Sequence, residues 1–337
     1  MVGGESYVTG GWAPWDTGHY IRIAMNGYGA GDDPGSPAFF PLFPLLMRAL
    51  TWLPALEPTS SGLAVAAVLI ANVYFLAAVP LFAMLAERAC GREIALTASA
   101  LLCLSPFSFF FSAGYTESLF LLLVVGAFLL ATDGRWTLAS VVAALATATR
   151  VSGVALPAAL LLTAWTRGES RRELLTIALV SPLGIVAYMA YTWQVLGDPL
   201  AFLTAQGDWG GWRARTGHFL KVFLTSPGEL LYGNVVLVVV LLNVLMGLLW
   251  LASLPWVWRN LDGGLALFTS LLVLVHGATT WNSLRRYLLP AIGFYIAAAA
   301  LLARPEARGW PRDVAVAVSA MLLTMLTVIF GHGGWVI

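Results

Sequence analysis

The stretch LAVAAVLIANVYFLAAVPLFAMLA, residues 63–86, carries no charged side chain. A helix needs roughly 20 consecutive apolar residues to cross a hydrocarbon core of about 30 Å, and this stretch is longer than that. Its apolar residues do not alternate with polar ones, as they do in the strands of a membrane barrel. Backbone amides in lipid must find partners within their own segment, so the stretch predicts a transmembrane helix.

The same kind of stretch recurs along the rest of the chain. Of the 337 residues, 59% are hydrophobic and 10% are charged, whereas a soluble domain carries roughly 25% charged residues. The sequence therefore predicts an all-α integral membrane protein, a polytopic helical bundle of about ten transmembrane helices in one domain over residues 1–337. The approximate spans are 63–86, 94–112, 117–132, 136–150, 152–166, 173–196, 235–258, 264–281, 287–303 and 313–330. The pair on either side of Arg150 could instead be one broken or re-entrant element.

Charge and cysteine content exclude several classes of function. Eighteen Lys and Arg residues against seventeen Asp and Glu residues give a net charge of +1, which provides no field for attracting nucleic acid. The two cysteines, Cys90 and Cys103, fit neither a disulfide framework nor a metal cluster. His218, His276 and His332 have no metal-ligand spacing either. We therefore expect no nucleic-acid partner, no metal and no cofactor.

The arginines indicate how the bundle is oriented, because cytoplasmic loops of membrane proteins are enriched in basic residues. With the N-terminal segment outside, ten basic residues fall in short inner loops and eight fall outside. The inner group is Arg88, Arg92, Arg135, Arg167, Arg171, Arg172, Arg259, Arg304, Arg308 and Arg312. The outer group is Arg22, Arg48, Arg150, Arg213, Arg215, Lys221, Arg285 and Arg286. The inner arginines flank helix ends, whereas most outer ones lie among polar and aromatic residues, which predicts a site on the outer face of a cell membrane.

Three polar stretches form that outer face. Residues 1–62 contain no spanning run, and within them FFPLFPLLMRALTWL (39–53) is predicted to be interfacial because it carries two prolines and an arginine. Residues 197–234 form a long loop, and the third stretch is the turn at Asn282–Arg286. A segment as polar as 1–62 needs a preceding helix to lead it across the membrane. We therefore expect a first transmembrane helix ahead of this numbering; otherwise the orientation is reversed.

The most informative polar stretch is WDTGHY, residues 15–20. An acid at the membrane surface, among aromatic residues and close to a histidine, has the partly dry surroundings that a general base needs. Asp16 could have that role. Alternatively, Asp16 is a solvated N-cap of a helix that begins near Thr17, since Asp is favoured at that position.

Five blocks of the sequence resemble one family, in that family's order. WDTGHYIRIAMNGYG (15–29) with FFPLFPLL (39–46) is similar to the first lumenal loop of the PIG-V mannosyltransferases, which belong to the GT-C superfamily and add the second mannose of GPI anchors. The other blocks are similar to later turns of the family: SP (105–106) with FFFSAGYTESLF (109–120), ATRVSG (148–153), GDPLAF (197–202), and RRY (285–287) with Pro290. The sequence departs from the family in lacking the helix that normally precedes the first loop.

The resemblance implies an inverting transfer of mannose from a polyprenyl-phosphate-mannose donor to a hydroxyl of a lipid-linked or cell-envelope glycan acceptor. One carboxylate suffices as base in such a transfer, and we assign that role to Asp16. The departing lipid phosphate needs fixed positive charge, for which the planar guanidinium of arginine is suited. The candidates for binding it are Arg285, Arg286 and Arg150, followed by Arg22 and His19. These cations could instead bind ordinary anionic headgroups or extend to the interface.

The remaining site candidates would contact the acceptor or support the groups above. They are Glu117, Tyr115, Trp15, Tyr20, Asp198 and Tyr287. Glu117 could orient the acceptor, pair with a cation such as Arg150, or be favoured at a helix N-terminus by the macrodipole. Arg150 itself interrupts an apolar run, where an ionisable group is costly unless it is paired or faces water. Asp198 could simply be a turn residue, and the aromatic residues could form an interfacial belt among membrane lipids.

Two other classes of protein remain compatible with the sequence. A transporter or lipid flippase can have a similar number of helices and intramembrane arginines, although such proteins often carry internal repeats that are not visible here. The other class is a noncatalytic subunit of a membrane enzyme. A donor-dependent transfer assay distinguishes all three.

Overall fold

The computed structural model describes residues 12–13, 15–29, 35–54, 56–208, 235–279, 284–304 and 309–332. All regular structure in these residues is helical, which confirms the all-α class. The helices are α1 (Asp16–Asn26), α2 (Leu42–Leu50), α3 (Ser60–Cys90), α4 (Arg92–Leu104), α5 (Glu117–Thr132), α6 (Trp136–Thr147), α7 (Ala155–Thr166), α8 (Arg171–Val180), α9 (Leu183–Leu196), α10 (Ala201–Asp208), α11 (Val235–Asn260), α12 (Gly263–Thr279), α13 (Leu284–Tyr287), α14 (Ile292–Leu302) and α15 (Trp310–Gly331). Short 3-10 turns lie at Ser36–Ala38, Ser108–Phe111 and Val151–Val154. Most of the predicted loop 197–234 lies outside the described residues.

Apolar helices make up most of the bundle. Among the described residues, four are long and apolar enough to cross a membrane: Ser60–Cys90, Arg171–Leu196, Leu241–Asn260 and Trp310–Gly331. Shorter apolar helices accompany them at Glu117–Thr132, Trp136–Thr147, Val151–Thr166, Gly263–Leu274 and Ile292–Leu302. The chain is therefore a multi-pass helical membrane protein, and the number of its crossings stays a prediction.

Prolines explain where the predicted spans and the observed helices differ. The run predicted at 94–112 is an α-helix only as far as Leu104. Pro106 has no amide hydrogen to donate, and it disfavours helical geometry in the residue before it. Pro290 acts in the same way ahead of α14, and Pro182 lies between α8 and α9 as the N-cap residue of α9.

α5 connects two chemically different ends of the bundle. It has 16 residues, and such a helix is about 24 Å long at 1.5 Å per residue. At its C-terminal end Arg88 bonds Asp133 at 2.6 Å, and Arg167 donates to the carbonyl of Ala131 at 3.0 Å. Two arginines of the predicted inner loops therefore meet at this end. The first residue of α5, Glu117, lies at the other end together with α1.

Exposed tryptophans mark both ends of the bundle. The end that holds Glu117 carries Trp15, Trp52 and Trp193, and the end that holds Asp133 carries Trp165, Trp258 and Trp310. Tryptophan is enriched at both membrane–water interfaces because its indole has an apolar body and a polar N–H. The end that holds Glu117 is therefore expected to lie at the level of the lipid headgroups.

Gly184 allows α9 to approach α6 closely. A Cβ at this position would overlap the carbonyl oxygen of Ala144 and lie 2.6 Å from Oγ1 of Thr147, both in the last turn of α6 before Arg150. We expect Gly184→Ala to reduce the free energy of unfolding by about 1–3 kcal/mol, because the two helices must separate. The midpoint of thermal unfolding in detergent measures this loss.

Gly126→Ala is the matched control for that substitution. Gly126 lies in α5, where an added Cβ would be 3.9 Å from Val142, an ordinary contact. We expect this variant to unfold at or above the wild-type temperature, since alanine favours a helix over glycine. An equal loss of stability in both variants would contradict a specific role for the α6–α9 contact.

Candidate active site

Four charged side chains from distant parts of the sequence meet at one end of the bundle. Nη1 of Arg286 lies 2.5 Å from Oδ2 of Asp16, and Nε of Arg286 lies 2.5 Å from Oε1 of Glu117. Nη1 of Arg150 lies 3.1 Å from the same Glu117 oxygen. We call these four residues the ion network. Because it contains two carboxylates and two guanidiniums, its charges cancel.

The ion network is nearly closed to solvent. The exposed fraction of the side chain is 0% for Glu117, 4% for Arg286, 9% for Arg150 and 18% for Asp16. Charges this deeply buried persist only when they are paired and hydrogen-bonded. Asp16 is the most accessible of the four, so a ligand that arrives from the surface meets its carboxylate first.

Arg286 is held by both acids. Burial acts to lower the pKa of its guanidinium, but the carboxylates of Glu117 and Asp16 outweigh burial and raise that pKa well above its ordinary value. The guanidinium carbon also lies 4.2 Å from the centre of the Tyr115 ring, a cation–π contact. The group therefore keeps its positive charge and one orientation.

Arg150 reaches the network because α6 ends before it. The helix stops at Thr147, and Arg150 has an extended backbone with φ −166° and ψ 155° before a 3-10 turn. Its guanidinium carbon lies 5.0 Å from the ring centre of Tyr287 and 5.6 Å from that of Phe120. The regular helix is thus interrupted at Arg150, and two rings and a carboxylate stabilise the buried cation.

α1 is docked so that Asp16 faces the arginines. Oγ1 of Thr17 donates to the carbonyl of Gly114 at 3.0 Å, and the amide of Gly114 donates to the carbonyl of Trp12 at 2.9 Å. Gly114 directly precedes Tyr115. These bonds therefore hold the start of α1 against the turn that carries the ring beside Arg286.

Trp15 has a strained backbone next to Asp16. Its φ is 56°, and it is the non-glycine residue with positive φ in the described part of the chain. Such a conformation costs about 1–3 kcal/mol and persists where the surroundings enforce it. Trp15 is also the N-cap residue of α1, and the residue is 48% exposed.

Tyr20 and Tyr115 place two phenol hydroxyls near the acids. Burial raises the pKa of both phenols well above the ordinary value, and the charge of Arg286 opposes that effect in part. Both hydroxyls therefore keep their protons at neutral pH. Tyr20 is fixed by edge-to-face contacts with Phe39 and Phe43, each with ring centres 5.1 Å apart.

Three of the predicted phosphate-binding cations lie outside the ion network. The guanidinium carbon of Arg285 lies 5.2 Å from the ring centre of Phe107, and burial lowers the pKa of Arg285 to about 10, so it is still protonated at neutral pH. Arg22 and His19 contact each other at 2.9 Å, and His19 stacks on Phe39. Of the five predicted phosphate-binding cations, Arg150 and Arg286 thus belong to the ion network and the other three do not.

The structure bears on three residues for which the sequence left alternatives open. The interpretation of Asp16 as an N-cap is wrong, because α1 begins at Asp16 and its cap is Trp15. Asp198 does form a turn, since its Oδ1 accepts from the amide of Leu200 at 2.8 Å. Glu117 is both the first residue of α5 and the partner of Arg150, so two of its three interpretations hold together.

Sequence reasoning missed His276 and Ser152. Nε2 of His276 lies 2.8 Å from Oγ of Ser152, and its ring stacks on that of Tyr287 beside the ion network. The signal that could have found His276 is an ionisable residue near the end of an apolar helix, α12. Thr17 was also missed as a docking residue, although it lies within WDTGHY.

The fold and the ion network together define a class: polytopic helical membrane proteins with a charged site at one end of the bundle. The crystal structure of the oligosaccharyltransferase from Archaeoglobus fulgidus, in complex with zinc and sulfate, is similar with a TM-score of 0.52 and 17% sequence identity. The match covers 96% of this chain and 48% of that one. At this identity the likeness concerns the fold alone, which is of the GT-C type.

The N-terminal part of the chain matches a protein family. The family model described as mannosyltransferase (PIG-V) covers residues 4–165. GPI alpha-1,6-mannosyltransferase 2 from Rattus norvegicus and from Homo sapiens are each 35% identical over 155 residues, which is 43% of this chain and 30% of each relative. The chain thus spans less than a third of the length of these relatives. The predicted resemblance to the PIG-V mannosyltransferases is confirmed over residues 4–165.

Proposed function

We propose that the protein is an inverting mannosyltransferase of the cell membrane. It transfers mannose from polyprenyl-phosphate-mannose to a hydroxyl of a lipid-linked or cell-envelope glycan acceptor. The match to the PIG-V family supports the sugar and the reaction class. The observation that carries the proposal is the ion network at one end of the bundle, in which Arg286 pairs with Asp16 and Glu117, and Arg150 pairs with Glu117.

Asp16 is the proposed general base. Its Oδ2 accepts from Arg286, which leaves Oδ1 to take the proton of the acceptor hydroxyl. The acceptor oxygen then bonds to the anomeric carbon, while the bond from that carbon to the phosphate oxygen breaks and its electron pair stays on the phosphate. The products are a mannosylated acceptor with inverted configuration and polyprenyl phosphate. A positioned base contributes about 10²–10⁴-fold to such a step.

Arg286 and Arg150 are the proposed partners of the phosphate. A phosphodiester that leaves as a phosphate monoester gains negative charge, and preorganised cations in a dry site stabilise that charge strongly. Both guanidiniums are held in place by Glu117 and by aromatic rings, so they need little reorganisation. Arg285, Arg22 and His19 remain secondary candidates. The proposal includes no metal and no cofactor.

The proposed site faces the extracytoplasmic side. A lipid-linked sugar presents its anomeric carbon near the headgroups, at the level of Trp15, Trp52 and Trp193. The opposite end carries Arg88 and Arg167, two of the arginines expected in cytoplasmic loops. Both observations support an orientation in which α1 and the ion network lie on the outer side of the membrane. The proposal treats the whole chain as one transmembrane domain.

A transporter or flippase is the weaker interpretation. The binding sites of such transporters lie near the bilayer midplane, between repeated halves. The ion network instead includes the first residue of α5 and the first residue of α1. A site at the end of a bundle suits chemistry on a headgroup better than passage across the bilayer.

A transfer assay tests the proposal. Purified protein receives polyprenyl-phosphate-mannose labelled in the sugar, together with a membrane lipid extract as the source of acceptor. We expect label to appear in acceptor with equimolar release of polyprenyl phosphate, and none with GDP-mannose as the sugar source. Movement of intact donor across vesicles without any product would favour the flippase interpretation.

Arg286→Lys is expected to raise the KM for the donor about tenfold or more, which corresponds to at least 1.4 kcal/mol. Lysine keeps the charge, but one ammonium group cannot bond both acids through two fixed nitrogens as the guanidinium does. The KM for the acceptor should change little. Initial rates at varied donor and acceptor concentrations measure the two constants separately.

Arg285→Lys is the neighbouring comparison, and we expect a smaller rise in the donor KM because Arg285 lies against Phe107 outside the ion network. Arg88→Lys controls for the substitution at an exposed Arg–Asp pair at the far end of the bundle. If Arg285→Lys raised the donor KM more than Arg286→Lys, the phosphate site would have to be assigned to the neighbourhood of Phe107 instead.

A further inference from the structure

His276 is a buried polar side chain beside the ion network but not within it. It lies near the end of α12 and is 5% exposed. Burying a polar group in an apolar bundle is costly unless its hydrogen bonds are satisfied. The bond between Nε2 and Oγ of Ser152, at 2.8 Å, satisfies one ring nitrogen.

Two contacts of His276 lead to the two arginines of the ion network. Ser152 follows Arg150 by two residues, in the 3-10 turn that starts there. Tyr287 directly follows Arg286, and its ring stacks on the imidazole with centres 4.7 Å apart and planes 8° apart. His276 therefore bridges the turn after Arg150 and the residue after Arg286.

The ring of Tyr287 is shared by the two guanidiniums. Its centre lies 5.0 Å from the guanidinium carbon of Arg150 and 5.9 Å from that of Arg286. The orientation of this ring therefore influences where both cations lie. A flat stack against the imidazole restricts how far the ring can tilt.

α12 is a suitable anchor for such a contact. Near its start, Gly264 is so close to α7 that a Cβ would overlap Oγ1 of Thr163 and the carbonyl of Ala159. Thr163 also bonds Asp262, just ahead of α12, at 2.5 Å. A residue carried on a tightly packed helix positions its neighbours better than one on a loop.

We propose that His276 is a positioning residue for the donor phosphate: through Ser152 and Tyr287 it sets the spacing of Arg150 and Arg286. The inference rests on the proposed function. Misplacing a catalytic group by about 1 Å can cost about 10²-fold in rate. Loss of His276 should therefore lower kcat/KM for the donor and leave the KM for the acceptor unchanged.

Three variants separate the contact of His276 with Ser152 from its contact with Tyr287. His276→Phe keeps a flat ring against Tyr287 but loses the bond to Ser152, and Ser152→Ala loses the same bond from the other side. We expect each to lower kcat/KM for the donor, and the double variant to lose less than the sum of the two single losses, since both remove the bond between His276 and Ser152. His276→Ala removes the stack as well, and we expect a loss of about ten- to a hundredfold.

Ser140→Ala is the matched control. Its hydroxyl is buried in α6 and donates to the carbonyl of Trp136 at 2.8 Å, at the end of that helix remote from Arg150. We expect wild-type kinetics. A thermal shift with a short-chain prenyl phosphate adds a readout besides turnover: the ligand should stabilise the wild type and Ser140→Ala more than His276→Phe.

The outcomes distinguish the two proposals. If the wild type shows no donor-dependent transfer, the proposed function fails whatever the variants do. If the wild type transfers mannose, the positioning role is overturned by either of two results. One is a normal kcat/KM for the donor in His276→Phe and His276→Ala. The other is a double variant, His276→Phe with Ser152→Ala, whose loss of kcat/KM for the donor equals the two single losses combined.

Discussion

Asp16→Asn is expected to lower kcat for mannose transfer by about 10²–10⁴-fold, the usual contribution of a positioned general base. Asparagine retains an oxygen that can accept from Arg286, and Glu117 still bonds both guanidiniums. The fold should therefore survive the change. Turnover at saturating donor and acceptor measures the effect, with thermal unfolding in detergent measured alongside.

The control for Asp16→Asn is Asp133→Asn. Asp133 also pairs with an arginine, at 2.6 Å, but at the far end of the bundle and with 47% of its side chain exposed. We expect wild-type turnover and a loss of stability of about 1 kcal/mol or less. Normal turnover in Asp16→Asn would remove the base assignment and favour a transporter.

Glu117→Gln is expected to reduce the free energy of unfolding by about 3–5 kcal/mol, the usual result of leaving a buried charge without its partner. Glutamine has nearly the same shape, so packing is preserved and the effect isolates the charge. Arg150 would lose its carboxylate, and Arg286 would keep only that of Asp16. Denaturant or thermal unfolding in detergent measures the loss.

A double variant tests whether charge is the cause. Glu117→Gln combined with Arg150→Met leaves Asp16 and Arg286 as a neutral pair, so we expect much of the stability to return. Transfer should stay impaired, because Arg150 belongs to the proposed phosphate site. If Glu117→Gln is as stable as the wild type, the ion network does not stabilise the fold in the way described here.

Several elements of the fold were predictable because their signals are local. The predicted span 117–132 coincides with α5, since an uncharged run bounded by Glu117 and Asp133 has clear ends. The spans at Pro106 and Pro290 were predicted less accurately, because the chain there is apolar enough for lipid but the helix does not continue through the proline. The helices of the spans 63–86 and 235–258, in contrast, continue through Pro80 and Pro255.

The candidate site was only partly predictable. Asp16 and Arg150 stand out in sequence because a charged side chain in apolar and aromatic surroundings is costly unless it is paired or functional. Arg285 and Arg286 could not be ranked, since adjacent residues in a helical turn point about 100° apart. Both are buried, and only the packing decides that Arg286 is the one that meets Asp16 and Glu117. His276 gave a weak signal, because its partners Ser152 and Tyr287 are not near it in sequence.

The sequence by itself determined the class of the molecule: a bundle of membrane helices with polar, aromatic turns and a PIG-V resemblance in residues 4–165. Hydrophobicity and motif identity are properties of neighbouring residues, so no folding is needed to recognise them. The tertiary structure alone decided that Arg286 is the cation between Asp16 and Glu117, although it lies 270 residues from Asp16. The attraction within an ion pair falls with distance, and burial strengthens that attraction while it adds a desolvation cost. Only the packed helices set the distance and the burial.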